Sequence, residues 1–317
     1  MSANYLFAPH EAYDMILFLN AVSDNSFYNQ HYLDVRQSWE PRLGDQGLKL
    51  INEVCSKMSM SYLCTYLSAY GVKTLDDIIT VLQNYSIHAK DDHLIADHWQ
   101  LLSDCFQILK EAGLPIAWNQ RVKPYLQDIA EQYEMIMEKV YPLHKLERTL
   151  TIFLAAEHPI CSTVYFAAYI KPIAFQLPNG AMVMHAGPHG YMHLPKHVFR
   201  LCLHESLHGF PGSGQALKQQ DELLKSNKQF KQQYDELIVN YHSGPEEYIV
   251  VGAEAYLSEK LMLRTQEDCI SYLKSQNGGM PLSLAIYERL RETNPENGYN
   301  WCGYGKWLEK ELLTLKM

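Results

Sequence analysis

Long apolar runs are missing from this sequence. No stretch of about 18 apolar residues occurs in the 317-residue chain, so no segment reads as a membrane span. Mean hydropathy is -0.25. Basic charge is scarce too: 27 Lys+Arg stand against 36 Asp+Glu, a formal net charge of -9. A protein held to nucleic acid by phosphate contacts needs a basic face, so that class is disfavoured. Cysteine pairing is absent as a pattern. Cys55, Cys64, Cys105, Cys161, Cys202, Cys269 and Cys302 are odd in number, scattered, and form no CxxC. They read as small buried residues of a reducing compartment. The start, Met1-Ser2-Ala3-Asn4-Tyr5, has no basic region ahead of an apolar core, which argues against a cleavable secretory signal. The expected location is cytoplasmic, and a protein exported by a specialised secretion machine would read the same way. The glycines of 209–214 precede no lysine at phosphate-loop spacing.

What is present is a globular composition, 47% apolar and 20% charged. Residues 1 to about 145 read as helices, with apolar spacings of three and four at Met15–Val22, Gly47–Met58 and Leu75–Leu82, and in longer stretches at His93–Ala112 and Arg121–Val140. Breaks fall at 41–45, 71–73 and 113–115. Near residue 148 the pattern changes. Thr149–Leu154 and Thr163–Ile170 are β-branched and aromatic and read as strands. Ile173–Leu177 and Ala181–Met184 flank Pro178-Asn179-Gly180, a hairpin signal. After Pro195 the helical pattern returns. The expected fold is α+β, a helical region over 1–145 followed by a domain over 146–317 with a small mixed sheet.

Fourteen histidines are an unusual count, and six of them fall between residues 185 and 208. Pro195–Phe210 reads as a largely buried helix, with Pro195 suited to its first turn and Gly209 to its end. Inside it lies His204-Glu205-Ser206-Leu207-His208, an HExxH pattern. Four residues make about one helical turn, so His204 and His208 point the same way. Both can then reach one Zn²⁺ at about 2.0–2.1 Å. Glu205 is placed to act as general base on a metal-activated water. Two histidines and a glutamate in an apolar helix would be costly without such partners.

This segment resembles the zincin superfamily of zinc metallopeptidases, in which the motif helix follows a mixed sheet. The longer form of the motif, HExxHxxGxxH, would need histidine and glycine where this chain has Gly214 and Pro211. The resemblance is therefore to the gluzincin branch, where a Glu on a later helix completes the site. The next helix with acids begins at Ser243-Gly244-Pro245-Glu246-Glu247. Ser243 and Glu246 have capping-box spacing, and acids at a helix start also complement the dipole. Glu254 is a lone carboxylate among apolar residues, two turns after Glu247 on the same face. Glu247 is the expected third ligand, with Glu254 and then Glu246 as alternatives. If Glu247 binds the metal, Glu254 is expected to hold a ligand histidine from behind. The resemblance covers residues 198 to 262.

The resemblance implies a zinc-dependent peptidase acting on a peptide or protein substrate, with Glu205 catalytic and His204, His208 and Glu247 on the metal. The strand around Ala181–Met184 is expected to pair with an extended peptide. Two other readings stay open: a binding module with structural zinc, and a zinc hydrolase of non-peptide bonds. His185, His189, His193 and His197 lie on the approach to the motif. His242, Tyr241, Tyr248, Tyr256, Tyr299 and Tyr304 are candidates to stabilise an oxyanion. His88, Asp91, Asp92, His93, Asp97 and His98 read as a solvated face rather than a second site, and the aromatic stretch 299–307 as packing.

Overall fold

The structure is a computed structural model. It describes residues 5–84, 92–139, 143–157, 162–170, 174–186, 195–241, 244, 246–275 and 280–315. The chain is mostly helical with one small mixed sheet, an α+β composition. The chain divides into two compact units. The sheet unit holds residues 5–140 and 162–195, and the motif unit holds 1–4, 141–161 and 196–317. Both are discontinuous in sequence. Position 145, where the sequence reading divides the chain, falls inside the motif unit. The sheet and the HExxH segment belong to different units.

In the sheet unit, β1 (Tyr5–Pro9), β2 (Ser162–Ala167), β3 (Ala174–Gln176) and β4 (Met182–His185) lie in the order β1-β2-β4-β3. β1 and β4 flank β2 in parallel, with Tyr5 opposite Ser162 and Val164 opposite Met182. The expected hairpin is present. β3 runs antiparallel to β4, Gly180 takes a left-handed φ of 81°, and Asn179 Oδ1 accepts from the Ala181 N–H at 3.1 Å. Two expectations need correction. β1 falls in a region read as wholly helical. It is five residues long, and its partner is distant in sequence. The other correction concerns β4, which is hydrogen-bonded on both sides and buried throughout. It has no free edge for an extended peptide.

The helices of this unit are α1 (Glu11–Val22), α2 (Ser26–Asn29), α3 (Leu33–Lys57), α4 (Met60–Ser68), α5 (Leu75–Gln83), α6 (His93–Glu111), α7 (Leu114–Ala117) and α8 (Lys123–Lys139). α1 is apolar nearly all round, and every residue from Ala12 to Val22 is buried. The break expected at 41–45 is a kink inside α3, where Gly44 has φ 61°. Thr74 and Asp77 close a capping box on α5. Between α7 and α8 the chain makes a π-helical turn over Trp118–Val122, with the Lys123 N–H donating to the Trp118 carbonyl.

The motif unit begins with α9 (Leu143–Leu154). Residues 149–154 are thus helix, not the expected strand. Leu146, Leu150, Phe153 and Leu154 are buried at helical spacing, and packing of that stripe overrides the β-branched composition. There follow α10 (Pro195–Glu205), α11 (Ser213–Ser226), α12 (Lys228–Tyr241), α13 (Glu247–Lys260), α14 (Gln266–Ser275), α15 (Pro281–Thr293) and α16 (Tyr304–Glu311). α13 is buried from Tyr248 to Ser258. It meets α15 so closely that a Cβ on Gly252 would lie 2.8 Å from the Ser283 carbonyl oxygen and 2.9 Å from Ile286. Ser283 Oγ donates to the Tyr248 carbonyl at 2.6 Å, and the Tyr304 hydroxyl to the Ile249 carbonyl at 2.6 Å. In the aromatic stretch, Tyr304 and Trp307 are buried and Trp301 donates to the Ile152 carbonyl, while Tyr299 is fully exposed. Among the described residues no helix is long and apolar enough to cross a membrane.

Candidate metal centre

The HExxH segment is not helical to its end. α10 stops at Glu205, and the chain continues through two tighter turns. There the Leu207 N–H donates to the His204 carbonyl and the His208 N–H to the Glu205 carbonyl. Gly209 then reverses the chain with φ 62°. The two imidazoles lie together: their ring centres are 5.0 Å apart and their Nε2 atoms 3.3 Å apart.

α13 supplies the third group from its first residue. Glu247 Oε2 is 3.4 Å from His204 Nε2, and its Oε1 is 3.5 Å from His208 Nε2. Among the described residues, His204, His208 and Glu247 are the group that could hold a metal ion, one donor from each lying within 4.8 Å of the others. The fit is testable by geometry. Four ligands at about 2.0–2.2 Å from a tetrahedral ion lie about 3.3–3.6 Å apart. The Nε2–Nε2 separation of 3.3 Å falls in that range, each histidine meets a different oxygen of Glu247, and two imidazoles with a carboxylate form a donor set suited to zinc.

A second ring of carboxylates stands behind the histidines. Glu254, on the same face of α13, places Oε2 3.3 Å from His204 Nδ1. α13 therefore grips both nitrogens of one ring, Nε2 through Glu247 and Nδ1 through Glu254. Glu246 does the same office for His208: its Oε2 lies 3.2 Å from His208 Nδ1, and its Oε1 accepts from the Gly209 N–H at 3.2 Å. With an ion bound, a proton on each Nδ1 would satisfy both contacts and leave both Nε2 lone pairs to the ion. Arg200 and Arg264 approach the other Glu254 oxygen at 3.7 and 3.8 Å. Arg200 precedes His204 by four residues, so the helix places it on the ligand face.

Charge in this cluster is strongly coupled. Burial works against the charged form of His204, but hydrogen bonds to Glu247 and Glu254 outweigh it and hold its pKa well above the ordinary value. His208 is raised against burial in the same way, chiefly by Glu246. Glu247 is lowered: burial pushes it up, and the bond to His204 with the fields of both histidines pulls it below the usual range. Glu205 moves the other way. Its near-complete burial raises its pKa against the pull of both histidines.

Among the other candidates, Glu246 was expected third as a ligand and is instead the partner of His208 Nδ1. Tyr248, Tyr256 and Tyr304 direct their hydroxyls to Gln233, to Asn294 and Glu296, and to Ile249. His185 is buried at the end of β4, and His197 is exposed on α10. His93, Asp97 and His98 lie along α6 and form no metal-holding group among the described residues. His88, Asp91, His189, His193, His242, Ser243 and Pro245 lie outside the described residues. Sequence reasoning missed Glu246's contact, because capping already explains an acid there. It also missed both arginines, of which Arg200 was legible from its spacing. No family model matches this chain, and no curated protein or solved structure matches it.

Proposed function

We propose that the chain is a zinc-dependent metallopeptidase of the zincin type, close to the gluzincin pattern, with His204, His208 and Glu247 holding the ion. The observation that carries this reading is the convergence of those three residues, one donor atom from each within 4.8 Å of the others, with Glu205 next in sequence to the first of them. When bound, such an ion supplies Lewis acidity, which makes water acidic near neutral pH and polarises a carbonyl oxygen. Glu205 accepts the proton of the attacking water on its carboxylate and delivers it to the leaving amine nitrogen. Glu254 and Glu246 keep the two imidazoles in one tautomer and one orientation. The six described cysteines are all free.

Metal analysis of the purified chain, followed by digestion of a broad peptide library, tests this. One equivalent of zinc and cleavage abolished by a chelator are expected. Glu205→Gln should keep the zinc and lose about 10²–10⁴-fold in turnover. Zinc at one equivalent with no peptide cleaved would leave the centre intact but sink the peptidase reading. A fully active Glu205→Gln variant would refute the proton-transfer role.

A further inference from the structure

Most arginines in this acidic chain have found a carboxylate. Arg36, Arg200, Arg264, Arg289 and Arg291 each lie within 4.0 Å of one. Arg42, Arg121 and Arg148 do not, among the described residues, and all three are exposed; Arg42 and Arg121 line the same open cavity of about 280 Å³ in the sheet unit. Arg42 is spread over the Trp39 ring with its guanidinium carbon 5.0 Å from the ring centre. Arg121 also forms a wall of a second cavity of about 180 Å³, whose other walls include Val35, Val122 and Tyr125. No acidic residue lines either cavity. In a chain of net charge -9, two arginines thus share a hollow whose lining holds no acid.

The backbone around the hollow is irregular in a consistent way. Arg121 sits on the π-helical turn, a device that re-aims side chains and recurs at functional sites. That turn is pinned from below, since Trp118 Nε1 donates to the buried Asp14 carboxylate at 2.7 Å. Gly113, in the wall of the larger cavity, has φ 82°, and Arg42 lies next to the kink at Gly44. A hole of about 150 Å³ with apolar walls accommodates a benzene ring, so the smaller cavity has room for one ring.

We propose that these two cavities form one site for a small organic anion with a single-ring or branched apolar body. Its charged end meets Arg42 and Arg121, and its body enters the smaller cavity against Val35, Val122 and Tyr125. The proposal is independent of the metal centre.

The test uses the full chain stripped of metal by a chelator, so that no anion can report on the His204 centre. Phenylacetate and phenyl phosphate are titrated by calorimetry and ligand-observed NMR, beside neutral phenylacetamide and inorganic phosphate. Expected is saturable binding of at least one ring-bearing anion at one equivalent. Phenylacetamide and inorganic phosphate should each bind about tenfold weaker or worse. Arg121→Gln and Arg42→Gln should each weaken the anion by about tenfold or more, while Lys225→Gln in the motif unit changes nothing. Val122→Trp, which fills the smaller cavity, should remove ring-bearing probes. Thermal melts confirm that each variant folds, and the acid-against-amide comparison needs no variant. No saturable binding, equal affinity for acid and amide, or intact binding in a folded Arg121→Gln variant would each overturn the proposal.

Discussion

The two most deeply buried carboxylates among the described residues fall one in each unit: Asp14 is 0% exposed and Glu254 is 3% exposed. They are kept in opposite ways. Asp14 is held by uncharged N–H groups, accepting from Trp118 Nε1 at 2.7 Å and from the Ala168 and Tyr169 backbones at 2.8 and 3.1 Å. It ties α1 to the chain leaving β2 and to the π-helical turn. Glu254 is met by groups that carry or can carry charge, His204, Arg200 and Arg264. Neutral donors closing around a carboxylate make a structural staple. Ionisable partners, one of them a candidate metal ligand, make a group whose charge is felt at the candidate metal centre. Burial alone does not separate the two; the partners do.

The sharpest way to break this comparison is to remove each carboxylate and read both stability and metal affinity. Asp14→Ala leaves three donors without an acceptor and should cost about 2–4 kcal/mol in urea unfolding, with zinc affinity of the folded protein unchanged. Burial raises Asp14 from 3.8 to about 7 against those three donors. The folded state then keeps a proton that the unfolded state has lost. Its stabilising contribution is complete below about pH 4 and declines as pH rises to about 7, with a slope of at most about 1.4 kcal/mol per pH unit. Asp14→Asn should flatten that slope, and identical pH profiles for the two proteins would contradict it. Glu254→Gln should act in the other direction. Zinc affinity falls by about 10–100-fold in a chelator competition, and the metal-free melt moves less than for Asp14→Ala. Gly252→Ala, between Glu247 and Glu254, should cost about 1–2 kcal/mol, because its Cβ meets the α15 backbone. The smallest effect belongs to Lys231→Ala, which breaks the exposed pair with Asp235 and should stay within about 0.5 kcal/mol.

Local chemistry was the readable part of this chain. His204 and His208 are one turn apart and Glu247 and Glu254 two turns apart, so helical geometry alone predicts which share a face. The Pro178-Asn179-Gly180 hairpin is equally local. What could not be read depended on distant partners. The order of strands is set by packing, so the sequence of β4 does not disclose that both its edges are taken. Residues 149–154 look β-prone in a six-residue window, and only the addition of Leu146 exposes the helical period. Glu246 misled because a helix start already accounts for an acid.

The pairing of Tyr5 with Ser162 has a consequence in time. On a ribosome adding about 5–20 residues per second, the first strand waits roughly 8–30 s for its partner. Until residues 162–185 emerge, Tyr5 and Phe7 have no β2 to lie against, and the sheet cannot form. Nascent sheet-unit chains should therefore be the form of this protein most in need of a chaperone, and closure of the sheet a late step of its synthesis.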